Sequence, residues 1–103
     1  MSYKLLITND ANNDIDDIIS YIINELKNPI AAENLLSKIE LNFGIILANP
    51  FSFPLCKDKR LYDNGYRKIT VKNYIIFYRV DKEDNIVYIM RVIYGRRNYI
   101  NLI

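Results

Sequence analysis

The sequence contains no histidine, one cysteine, three glycines and three prolines in 103 residues. Without histidine, the side chain that titrates nearest neutrality is missing. Ser-His-Asp and Cys-His catalysis are excluded, and with them imidazole zinc sites and H-E-x-x-H metallopeptidases. Any acid–base chemistry must use carboxylates, tyrosine, lysine or arginine in perturbed surroundings. Cys56 alone can form neither an intrachain disulfide nor a thiolate metal cage, so no metal or other cofactor is expected and a reducing cytoplasm suits the chain. No apolar run approaches the roughly 20 residues that span a bilayer. Nothing near the amino terminus joins a basic flank to an apolar stretch and a small-residue cleavage site. These features predict a cytoplasmic protein with no membrane partner.

Half of the residues are apolar, enough at this length for one core and too few for two, so residues 1–103 read as a single domain. There is no internal repeat, low-complexity tract or linker. The net charge of +2 conceals a segregation along the chain. Residues 1–50 carry three basic groups against seven acidic ones, a balance of −4, whereas residues 51–103 carry eleven against five, a balance of +6. Charge separated in this way marks a face directed at a polyanion or an acidic partner, or else a solvated basic surface.

Tyr3–Thr8 is short and apolar, as in a buried or edge strand. Asn9 and Asp10 then offer acceptors for the first amides of a helix. Ile15, Ile18, Ile19, Ile22, Ile23 and Leu26 recur at spacings of three and four, predicting an amphipathic helix over residues 11–27 with Asp14, Asp17 and Glu25 on its other face. Asn28-Pro29 ends that helix and starts the next, whose stripe of Ala32, Leu35, Leu36, Ile39, Phe43, Ile46 and Leu47 runs to about residue 48. So short a connection makes an antiparallel αα-hairpin. Residues 51–64 read as a loop bearing Lys57, Lys59 and Arg60. Tyr66–Val71, Tyr74–Val80 and Ile86–Tyr94 have strand composition and are separated by turns at 72–73 and 81–84, predicting a three-stranded antiparallel meander. The sum is an α+β fold, β-α-α-β-β-β, with the helices on one sheet face.

Turns of two and four residues place Val71 opposite Tyr74 and Val80 opposite Asn85, which fixes two faces. One carries Arg67, Ile69, Val71, Tyr74, Ile76, Tyr78, Val87, Ile89, Arg91 and Ile93 and is expected to pack on the helices, with Arg67 and Arg91 pairing to acidic helix residues. The other carries Lys68, Thr70, Ile75, Phe77, Arg79, Ile86, Tyr88, Met90, Val92 and Tyr94. An apolar-aromatic strip of that size left in water predicts a partner's docking groove, the alternative being that Tyr99–Ile103 folds back over it. Nine tyrosines suit an interface that is apolar yet still hydrogen-bonds.

The helical hairpin followed by Gly65-Tyr66-Arg67-Lys68-Ile69, Tyr74-Ile75-Ile76-Phe77-Tyr78-Arg79-Val80 and Arg91-Val92-Ile93-Tyr94-Gly95-Arg96-Arg97-Asn98 resembles the RelE/ParE superfamily of toxins, in the same order and over nearly the whole chain. The resemblance implies the toxin of a type II toxin–antitoxin module, of the kind tied to plasmid stabilization. It further implies a cognate antitoxin that wraps the groove as a toxin–antitoxin hetero-oligomer, touching Ile75, Phe77, Tyr88, Met90, Val92 and Tyr94.

The superfamily has two branches with different targets. One resembles ribosome-dependent endoribonucleases that cut mRNA, and here Arg97, Tyr99, Arg79 and Lys68 would be catalytic. Such a reaction needs a base, charge stabilisation and a leaving-group acid, all available without histidine. The ParE-like branch instead inhibits DNA gyrase through protein contacts. In the nuclease branch the third strand typically carries an arginine where this sequence has Ile75, and that absence, with the long hairpin, favours the gyrase branch. The family's histidine before Gly95 is replaced by Tyr94. Target-facing candidates are Lys57, Lys59, Arg60, Arg96 and Arg97. The loop cations would contact phosphate in the nuclease reading and be incidental in the other, while Arg96 and Arg97 read equally well as a solvated strand end.

Overall fold

The computed structural model describes residues 2–103. Strand β1 (Lys4–Ile7) leads into helices α1 (Asn9–Asn24) and α2 (Pro29–Ala48), a short helix α3 (Lys59–Asp63), and strands β2 (Arg67–Val71), β3 (Tyr74–Asp81) and β4 (Ile86–Tyr94). A 3-10 turn over Tyr99–Leu102 follows. The α+β order is the one the sequence predicts. Helix α3 is new: it is a five-residue helix with one buried side chain, Leu61, too short to show a period.

Thr8, rather than Asn9 or Asp10, caps α1. Its hydroxyl accepts from the Ala11 N–H at 3.2 Å and donates to the Ile89 carbonyl at 2.8 Å. One side chain thus starts the helix and ties the end of β1 to β4. The helix stops earlier than its apolar stripe, because Lys27 adopts φ 54° and the Asn28 N–H folds back to the Ile22 carbonyl. Asn28 then caps α2 through the Ala31 N–H, with Pro29 in the first turn, as expected.

The sheet has four strands in the order β1-β4-β3-β2. The meander is antiparallel, and β1 joins it at the edge as a parallel partner of β4. Val71 lies opposite Tyr74 as the two-residue turn requires. At the other hairpin Val80 faces Val87, two residues away from the expected partner, which preserves the faces.

A β-bulge then changes them. Phe77 pairs with Arg91 and Tyr78 with Ile89, so Met90 has no partner across the ladder. One extra residue reverses the parity of everything after it in β4. Val92 therefore joins the helix-side core and Ile93 the opposite face, the reverse of the sequence expectation. Tyr94 likewise moves to the helix side, stacked edge-on against Tyr74.

The helix-side core joins Ile22, Leu35, Ile39, Phe43 and Ile46 to Val71, Ile76, Tyr78, Val87, Ile89 and Val92. Burying the phenol of Tyr78 requires a partner, and its hydroxyl donates to the Pro50 carbonyl at 2.8 Å. Arg67, on the same side, pairs with no helix carboxylate; it donates to the Phe53 carbonyl at 2.5 Å and stacks on Phe51.

The opposite, front face is not an open groove. Ile75, Phe77 and Ile93 pack with Cys56 from the preceding loop and Leu61 from α3, and Tyr66, Tyr99, Leu102 and Ile103 close over them. Phe77 is fully buried and Ile75 is 9% exposed. The tail folds back because its apolar side chains leave water by packing on the apolar side chains of the front face.

Candidate functional site

Two arginines hold the tail to the front face. Arg60 donates to the Ile100 carbonyl at 2.6 Å, and Arg91 to the Leu102 carbonyl. The Tyr99 ring lies 5.2 Å from that of Phe77, with the Lys68 ammonium 5.9 Å from the Tyr99 ring centroid. Lys68 and Tyr99 thereby share a cleft of about 330 Å³ with Cys56, Lys57 and Asp58. Burial pushes the Cys56 thiol above its usual range, against the opposing pull of Lys68, so it is a packing group with little thiolate character.

The other two catalytic candidates lie apart from that pair. Arg79 donates to the Asn64 carbonyl at 2.8 Å and stacks on Tyr66. Arg97 projects toward α1, where it lines clefts with Asp17 and Tyr94. Of the target-facing candidates, Lys59 pairs with Asp63 at 2.7 Å, Arg60 is committed to the tail, and Arg96 is exposed past the end of β4.

The six antitoxin-contact candidates divide in the same way. Ile75 and Phe77 lie beneath the tail, and Val92 packs on the helices. Tyr88 and Met90 are half-buried on β4, and Tyr94 is half-buried toward α1. The single groove drawn from strict alternation is thus split three ways by the bulge and the tail.

Two arrangements go beyond what the sequence reading described. At the edge of β4 beyond the reach of β1, the Asp14 carboxylate accepts from the Arg91 Nε at 2.7 Å and Nη2 at 2.9 Å, and from the Val92 backbone N–H at 2.9 Å. The hydrogen bonds to Asp14 hold the Arg91 guanidinium even more firmly protonated than usual. An ion pair for Arg91 was expected, but the arginine reaches Asp14 around the sheet edge from the front face. The second arrangement is a cleft of about 650 Å³ between α1 and the ends of β3 and β4, where Tyr21, Tyr74 and Tyr94 gather beside Asp17, Leu26 and Arg97. Asp14, Asp17 and Tyr21, at spacings of three and four on one helix face, were the available signal.

Residues 5–99 match the model of the ParE toxin of the type II toxin–antitoxin system parDE. The chain belongs to the ParE toxin family. No curated protein matches it in sequence. Among solved structures, this ParE-family chain is similar to the chromosomal ParDE toxin–antitoxin system of Pseudomonas aeruginosa, with a TM-score of 0.71 and 20% identity over 90% of this chain and 96% of that one. It also resembles the toxin–antitoxin complex RelBE2 of Mycobacterium tuberculosis, at TM-score 0.60 and 23% identity over 91% and 99% of the two chains. A mutant Escherichia coli RelE in the free state aligns at TM-score 0.57 and 18% identity over 99% and 93%. At these identities the structures speak to the fold, and the ParE-family fold extends over practically all of the chain.

Proposed function

We propose that this type II toxin arrests growth by binding DNA gyrase as an inhibitory protein, without itself cutting a bond. Ile75 carries the reading. Where the nuclease branch would need an arginine at the scissile phosphate, this chain has an aliphatic side chain 9% exposed beneath its own tail. The groups that could serve RNA cleavage are dispersed, with Arg79 spent on Asn64 and Arg97 turned toward α1. The ParE family match supports the same branch. The protein acts in the cytoplasm, and among the described residues no helix is long and apolar enough to cross a membrane.

Neutralisation by a cognate antitoxin belongs to the same proposal, supported by the complexed relatives of M. tuberculosis and P. aeruginosa. An antitoxin on the front face meets Tyr88 at the surface and reaches Ile75 and Phe77 only by displacing Tyr99–Ile103. A short reading frame for that antitoxin is expected beside the gene.

One observation favours the endoribonuclease reading: Lys57, Lys68 and Tyr99 share the 330 Å³ cleft, where two ammonium groups border a space open to a phosphate. Induced expression separates the two. Inhibited supercoiling by purified gyrase and an SOS response with intact mRNA support the proposal, whereas codon-linked cleavage of mRNA on ribosomes overturns it.

A further inference from the structure

The cleft between α1 and the ends of β3 and β4 gathers three tyrosine rings that none of the chain's own cations covers among the described residues. Some other rings are covered: Phe51 lies under both Arg67 and Lys82, Tyr66 under Arg79, and Tyr99 under Lys68. Among the described residues these are the four cation–aromatic pairs, and none involves Tyr21, Tyr74 or Tyr94, which form the largest tyrosine group. The Tyr74 and Tyr94 rings meet edge to face at 5.6 Å. Tyr21, Tyr74 and Tyr94 line one space, and burial, with Tyr94 and Tyr21 nearby, raises the Tyr74 pKa.

Asp17 lines the same space from α1, and no ion pair engages it among the described residues. Asp14, one turn earlier, is already consumed by Arg91. Aromatic faces with an unengaged carboxylate beside them are the chemistry that recognises a guanidinium or ammonium group. Arg97 also borders the cleft but covers none of the three rings among the described residues. It is placed to receive a carboxylate from whatever enters. Leu26 and Tyr21, each 56% exposed at the rim, extend the surface beyond the size of a small ion.

We infer that this cleft is a docking pocket for a segment of a partner protein in which a basic side chain enters among Tyr21, Tyr74 and Tyr94 against Asp17 while a neighbouring acidic side chain meets Arg97. The segment is a protein one because the pocket joins two charges of opposite sign to an apolar rim. A polyanion such as nucleic acid would find Arg97 but be repelled by Asp17 and by the ring faces. The pocket stands independently of gyrase as the target.

Blocked dipeptides titrated into the full chain, followed by NMR of the tyrosine rings, test the inference. Acetyl-Arg-Glu-amide is expected to bind saturably and to move the rings of Tyr21, Tyr74 and Tyr94, with acetyl-Gln-Glu-amide binding at least about fivefold more weakly. Asp17→Asn should weaken acetyl-Arg-Glu-amide by about fivefold. Arg97→Gln should abolish the preference for acetyl-Arg-Glu-amide over acetyl-Arg-Gln-amide, leaving the latter bound as well or better. Both side chains are exposed, and unchanged core amide resonances verify the fold. Unmoved rings, equal binding of acetyl-Gln-Glu-amide, or an Asp17→Asn variant that binds as the parent each overturn the inference. None of those results bears on the gyrase assay.

Discussion

The two faces of the sheet are closed by different means. On one, α1 and α2 lay two full helices across the strands and build a core running from Ala11 to Val92. On the other, a loop, the five-residue α3 and the tail cover Ile75, Phe77 and Ile93, held at the tail by Arg60 and Arg91. The first closure gains from extended helical packing as well as burial, whereas in the second the tail is held by a few side chains and two arginine hydrogen bonds to its carbonyls. Stability is therefore concentrated behind the sheet, and the front can open at lower cost.

The largest expected effect comes from the helix side. Ile39 is fully buried at the centre of α2, and Ile39→Ala should lower unfolding free energy by about 4 kcal/mol in urea titration. A loss below that of any front-face deletion would reverse the ranking of the two faces. Asp14→Ala comes next, at about 3 kcal/mol, since it leaves the Arg91 guanidinium and the Val92 amide without their acceptor. Both partners are mostly shielded from water, and replacing the pair with Asp14→Leu and Arg91→Met should recover the part of the loss due to the stranded guanidinium, but not the part due to the Val92 amide.

Removing residues 99–103 sharpens the contrast directly. It should cost about 2 kcal/mol and increase binding of a hydrophobic dye as Phe77 and Ile75 are uncovered. Unchanged dye binding would mean that loop and α3 suffice to close the front. The smallest effect, about 1 kcal/mol, is expected for Tyr78→Phe, which leaves the Pro50 carbonyl without its donor. Burial pushes the Tyr78 pKa up from 10.0 to about 12, so the neutral phenol is favoured in the folded state. Its contribution is complete below pH 10 and is lost as pH rises toward 12, because the unfolded chain ionises first. The parent should lose stability across that window more steeply than Tyr78→Phe.

The helical hairpin and the strands were legible because each depends on short-range signals. The isoleucines of α1 repeat at helical spacing, Asn28-Pro29 caps and starts α2, and the Lys72-Asn73 turn sets Val71 against Tyr74. Family membership was legible from the ordered fragments around Tyr66, Tyr78 and Gly95. The candidate site was read less well, for two reasons. Strict alternation passes through Met90 without revealing the bulge, so Val92 and Tyr94 were drawn on the wrong side and Ile93 with them. Tail docking depends on Arg60 and Arg91 meeting carbonyls 40 and 11 residues further along, contacts that no local pattern encodes.

The carboxylate of Asp14 does more than neutralise an arginine. By accepting the Val92 amide it occupies the margin of the sheet just where β1 runs out, so an incoming chain cannot extend the ladder there without evicting a charged group. That stretch of β4 is thereby closed to strand addition, although no other described strand borders it on that side.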